Sequence, residues 1–119
     1  MTETKKYAGG CHCGKVRYEA TADLGKVMAC NCSICSKKGY LLTFVGADQF
    51  TLLSGEDARS DYQFNKMNVH HLFCSTCGVG SFGRGAMPDG KQVVVLNVRC
   101  LDDVDTTTLT VAQIDGKSF

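Results

Sequence analysis

Seven of the eight cysteines in this 119-residue chain fall into three short clusters, and that spacing limits the possible folds more than any other feature. Cys11 and Cys13 form a C-x-C, Cys30, Cys32 and Cys35 a C-x-C-x-x-C within "CNCSICSKK", and Cys74 and Cys77 a C-x-x-C. Thiols at C-x-C and C-x-x-C spacing suit convergence on one metal ion better than dispersed disulfide bridges. The opening "MTETKKYAGG" has no apolar signal-peptide core, which points to a reducing compartment and hence to metal. The expectation is a cytoplasmic protein with no membrane partner, since no apolar run is long enough to span a bilayer. Thirteen basic residues against twelve acidic ones leave a net charge of +1, and tryptophan is absent. Nothing there calls for nucleic acid as a partner.

The rest of the pattern is β. "KVRYEA" alternates Val16, Tyr18 and Ala20 with Lys15, Arg17 and Glu19, the signature of a half-buried strand. "YLLTFVG", "FTLLSG" and "QVVVLNV" are compact β-branched and aromatic runs bounded by turn residues, and "DYQFNK", "NVHHLF" and "TLTVAQI" fit the same type. Glycines at Gly9–Gly10, Gly25, Gly46, Gly55, Gly78, Gly83–Gly85, Gly90 and Gly116 read as turns, and the one proline, Pro88, lies in "MPDGK". No window carries a sustained helical stripe, so helix is limited to a turn or two, with the segment after Cys32 one candidate. The chain reads as a single all-β domain over residues 1–119, with roughly eight to ten short strands. Cys11 and Cys13 are expected before the first strand, and the other cysteines in loops at strand ends.

Seven clustered cysteines divide as four plus three. Closed structural zinc takes four ligands, whereas catalytic zinc takes three and keeps a position for water or substrate. Spacing alone does not settle which clusters combine. Joining Cys11 and Cys13 with Cys74 and Cys77 uses every residue, whereas joining the first pair to the middle cluster strands Cys74 and Cys77. Cys100 stands apart after "VVVLNVR" and is either a fourth ligand for the middle group or a small buried apolar residue.

With these motifs in order, from "GGCHCGKVRYEA" through "CNCSICSKKG" and "HHLFCSTCGVGSF" to "VLNVRCLDD", the chain resembles the glutathione-dependent formaldehyde-activating enzyme family, whose domain is shared with centromere protein V. The resemblance implies a β-tent fold of small packed antiparallel sheets stapled by zinc. It implies two Zn2+ ions per chain: a structural one at Cys11, Cys13, Cys74 and Cys77, and a catalytic one at Cys30, Cys32 and Cys35. The implied activity is a zinc-dependent carbon–sulfur lyase, interconverting S-hydroxymethylglutathione with glutathione and formaldehyde. A small thiol or thiol–aldehyde adduct, glutathione among them, would then be the partner. Asn31 stands where many relatives carry histidine, and Ser36 where a basic residue is frequent.

Three thiolates leave a zinc ion with a net charge of about −1, better suited to holding a substrate thiol ionised than to making a strong hydroxide. Lys37, Lys38 and Tyr40 follow the motif and could contact a substrate carboxylate or pass a proton; a solvated basic loop and a core tyrosine are the plainer reading. His12, between two ligands, is expected to point away from their metal. His70 and His71 fall on opposite strand faces, so at most one faces inward. Arg99 suits an anionic substrate or a surface salt bridge. The competing function is a zinc-stabilised protein-binding module in which both ions are structural. A two-fold homodimer is the commonest assembly for a domain of this size.

Overall fold

Alternation in "RYEATA" builds the strand at the centre of the smaller sheet. The computed structural model describes residues 4–31, 33–62, 69–86 and 89–114. In β2 (Arg17–Ala22), Tyr18, Ala20 and Ala22 are buried while the residues between them stay half-exposed. It pairs antiparallel with β1 (Lys5–Gly10) on one side and β5 (Phe50–Ser54) on the other. The larger sheet contains β3 (Val27–Cys30), β4 (Leu42–Gly46), β6 (Arg59–Tyr62), β7 (Val69–Cys74), β8 (Phe82–Ala86), β9 (Gln92–Asn97) and β10 (Val111–Ile114). Its strand order is β10-β3-β4-β9-β8-β7-β6.

The two sheets meet through aromatic rings. Tyr18 and Phe50 from the small sheet pack on Phe82 of the large one, with centroids 4.8 to 5.6 Å apart. Val94 and Leu96 of β9, Val45 of β4 and Leu72 of β7 complete that buried layer. The Tyr18 hydroxyl donates to the Ser81 carbonyl at 3.0 Å, so the one polar atom of a fully buried ring is satisfied across the sheet interface.

The architecture is all-β, as the alternation predicts, and the described residues hold a single α-helix, α1 (Ser33–Lys38), in the segment after Cys32. No helix among them is long and apolar enough to cross a membrane. "DYQFNK" enters β6 only through Asp61 and Tyr62, and residues 63–66 lie outside the described residues, as does Gly116. One pairing departs from an antiparallel plan. β10 runs parallel to β3, from Val111 beside Val27 to Ile114 beside Cys30, because it reaches the sheet's edge after a long crossover rather than a hairpin.

Two turn assignments need correction. Gly9–Gly10 and Gly83–Gly85 both lie within strands, β1 and β8, so Cys11 and Cys13 follow a strand instead of preceding the first one. Close backbone approach explains the glycines. A Cβ on Gly10 would sit 2.1 Å from the Val16 carbonyl oxygen, and one on Gly83 would sit 2.9 Å from that of His70. Gly10→Ala is therefore expected to destabilise the fold by at least about 2 kcal/mol, read from a urea unfolding midpoint. A shift below a few tenths would mean the β1–β2 end can open without loss.

Candidate metal centre

Two turns at the same end of the molecule carry the first four thiols. The β1–β2 turn is closed by the Cys11 amide donating to the Val16 carbonyl at 3.1 Å, which brings Cys11 and Cys13 onto one side. The turn after β7 is closed by the Gly78 amide donating to the Cys74 carbonyl at 2.9 Å, with Gly78 at φ 81°. Lys15 ties the two turns together through its ammonium, which donates to the Thr76 hydroxyl at 3.2 Å.

The ligand atoms of Cys11, Cys13, Cys74 and Cys77 all lie within 4.8 Å of one another. The Cys11–Cys13 and Cys13–Cys74 sulfur pairs are each 3.6 Å apart. A tetrahedral ion with four Zn–S bonds of about 2.3 Å sets its sulfurs about 3.8 Å from one another, so this cage fits a metal ion such as zinc. No disulfide joins any of the described cysteines. Cys11 and Cys74 are buried, Cys77 is half-buried and Cys13 faces solvent.

Backbone amides aim at these sulfurs. Val16 donates to Cys11 Sγ at 3.3 Å, and Thr76 to Cys74 Sγ at 3.4 Å. The amides of Cys77 and Thr76 hold the Cys74 thiol below its usual range, and those of Val79 and Cys13 draw Cys77 down to about 6. At Cys13 the Lys15 amide also favours ionisation, but desolvation and the sulfurs of Cys74, Cys11 and Cys77 outweigh it and lift the thiol to about 11. Cys74 and Cys77 are thus prepared as thiolates, and a cation at the centre would relieve the repulsion raising Cys13.

Cys30 and Cys35 of the middle cluster are not among these four. Cys30 ends β3, half-buried, and Cys35 is buried in α1. Cys32 is outside the described residues. Tyr40 is half-buried, with its hydroxyl packed against Gly80. Burial, then the nearby thiols of Cys35 and Cys100, raise its pKa and keep it a neutral phenol. Arg99 forms no salt bridge among the described residues; its Nε donates to the Gly39 carbonyl just beyond α1, at 3.2 Å. Lys38 sits 5.0 Å from the Phe73 ring centroid and pins the helix to β7, while Lys37 is exposed.

Cys100 points its thiol at the Gly80 carbonyl, 3.9 Å away. Burial, and then the charges of Cys11 and Cys77, push it up to about 11. His12 is exposed, as expected. His70 contacts Asp61 through Nδ1 at 2.6 Å, and His71, half-buried, has its pKa lowered by desolvation and then by Lys38. Sequence reasoning missed the Arg59–Arg84 pair, which no local motif marks.

Comparisons with known proteins place the chain in a family. A family model described as glutathione-dependent formaldehyde-activating enzyme matches residues 6–114, a span that contains all eight cysteines. A crystal structure of a Rhodobacter sphaeroides protein, a structural-genomics target, superposes with a TM-score of 0.80 at 25% identity. The match covers 92% of this chain and 99% of that one.

Cys74→Ser removes one corner of the cage, and metal binding by such a four-thiolate set contributes on the order of 10 kcal/mol. The variant is expected to lose its cooperative thermal transition, followed by circular dichroism, as the wild type should after chelation. Cys100→Ser, outside the cage, is expected to keep both the metal and the transition. Loss of the transition in both variants alike would contradict a cage of these four residues alone.

Proposed function

Because the chain belongs to the glutathione-dependent formaldehyde-activating enzyme family, we propose that it is a carbon–sulfur lyase acting on a thiol–aldehyde adduct of the S-hydroxymethylglutathione type. The observation that carries this reading is the self-sufficiency of the four-thiol cage, which leaves Cys30, Cys32 and Cys35 for a second role. Those three thiols suit a zinc ion with an open position, which when bound would hold a substrate thiol ionised near neutral pH.

The chain's own residues would then set the geometry. β3 presents Cys30 and α1 presents Cys35, and the Arg99–Gly39 bond and the Lys38–Phe73 contact hold the helix in place. Cleavage of the adduct breaks its C–S bond, releases the aldehyde and moves the hydroxyl proton to the departing sulfur. In the reverse direction negative charge develops on the aldehyde oxygen. Tyr40, kept neutral by burial, is the donor best suited to meet it. The substrate is a small molecule.

Exchange NMR on an equilibrated mixture of glutathione and formaldehyde tests the activity directly. The wild type is expected to accelerate interconversion, Cys35→Ala to fall to the uncatalysed rate, and Tyr40→Phe to lose about tenfold to a hundredfold. Metal analysis should find two zinc ions per chain, with Cys32→Ala losing one and staying folded. Two tightly held ions with no acceleration would favour the binding module instead.

A further inference from the structure

The strand register gathers a second group of functional side chains on the core face of the large sheet. Arg84 pairs with His70, Phe82 with Leu72, Leu72 with Asp61, and Cys74 with Arg59, and directly paired residues share a face. Two guanidiniums end up on one ring. Arg84 Cζ is 5.6 Å from the Phe82 centroid and Arg59 Cζ is 5.9 Å from it, and Arg84 also lies 5.4 Å from the Phe50 centroid.

Their charge is poorly answered. Among the described residues, Arg59 meets only the Glu56 carboxylate, at 4.0 Å, and Glu56 is 83% exposed. Asp61, the nearest acid by register, is engaged by His70. No described carboxylate lies within ion-pair distance of Arg84, although Asp102, Glu19 and Glu56 each find a basic partner elsewhere. Arg59 Nη1 and Arg84 Nε are buried without a hydrogen-bond partner. Burial and then the charge of Arg59 depress the Arg84 pKa, as expected for cations crowded together. An oxyanion bound here would relieve that repulsion and occupy the unsatisfied donors.

We propose that Arg59 and Arg84 form a binding site for a small oxyanion, a carboxylate or phosphate group, stacked beside Phe82. Guanidinium forks match such groups with paired N–H donors, and the aromatic rings hold both forks in place without competing for those donors. The site is separate from the middle cysteine cluster. Thr43 and Val45 face the core from β4, whereas Leu42 faces out; Met28 pairs with Leu42, and Cys30, two residues on, shares that outer face. The oxyanion is therefore a ligand in its own right.

Arginine Nε–Hε signals in 15N-correlated NMR spectra of the metal-loaded protein provide the test, with inorganic phosphate, acetate and chloride as probes at constant ionic strength. The Arg84 signal is expected to shift saturably with phosphate or acetate and not with chloride. Whichever saturates at lower concentration identifies the ligand as a phosphate or a carboxylate. Arg84→Met and Arg59→Met are each expected to weaken binding about tenfold or more, with Arg84→Lys intermediate. A shift that rises linearly, or equally with chloride, would overturn the site, as would unchanged binding by both methionine variants. The wild-type titration decides the matter even if a variant fails to fold.

Discussion

Convergence of four thiols from two distant turns is the constraint on which the remaining structure hangs. Cys13 and Cys74 are 61 positions apart, yet their sulfurs lie 3.6 Å from each other. One turn belongs to the small sheet and the other to the large sheet, so a metal ion there clamps the two layers at one end. Between the layers, the Tyr18–Phe50–Phe82 group supplies the apolar contact. In a chain of this length such a core is modest, and a cross-link closing a long loop adds stability that side-chain burial does not provide. Backbone amides directed at the sulfurs indicate that the turns are shaped for thiolates rather than for neutral thiols.

The same turn organises the approach to the second cluster. Downstream of Cys77, the Gly80 carbonyl accepts from Asn97 Nδ2 at 3.0 Å and faces the Cys100 thiol, while Gly80 itself packs on the Tyr40 hydroxyl. Tyr40 in turn feels the charge of Cys35. Gly80 thus stands between the cage turn, Cys100 and Tyr40.

Legibility in the sequence followed side-chain chemistry and failed where the backbone decides. β2 and β9 were readable because alternation and β-branched runs record burial directly, and α1 because the segment after Cys32 lacks strand character. β8, "FGRGA", hides behind two glycines that look like turn residues, of which Gly83 allows β7 to approach closely. "TLTVAQI" reads as a strand, but the parallel pairing of β10 with β3 cannot be inferred from either segment alone. Counting grouped the four cage cysteines correctly, since C-x-C and C-x-x-C record ligand geometry in local spacing. Arg59 and Arg84 have no such record: each is an ordinary strand residue until register sets both on Phe82.

Cys100 shows how placement narrows a choice that composition leaves open. Its sulfur faces the Gly80 carbonyl, and both burial and the neighbouring charges of Cys11 and Cys77 favour the protonated thiol. To close the middle cluster it would have to give up that acceptor and ionise beside thiolates already crowded into the cage. Each of those steps costs free energy, and the second grows as the cage sulfurs ionise. The arrangement therefore favours Cys100 as a half-buried thiol facing the Gly80 carbonyl.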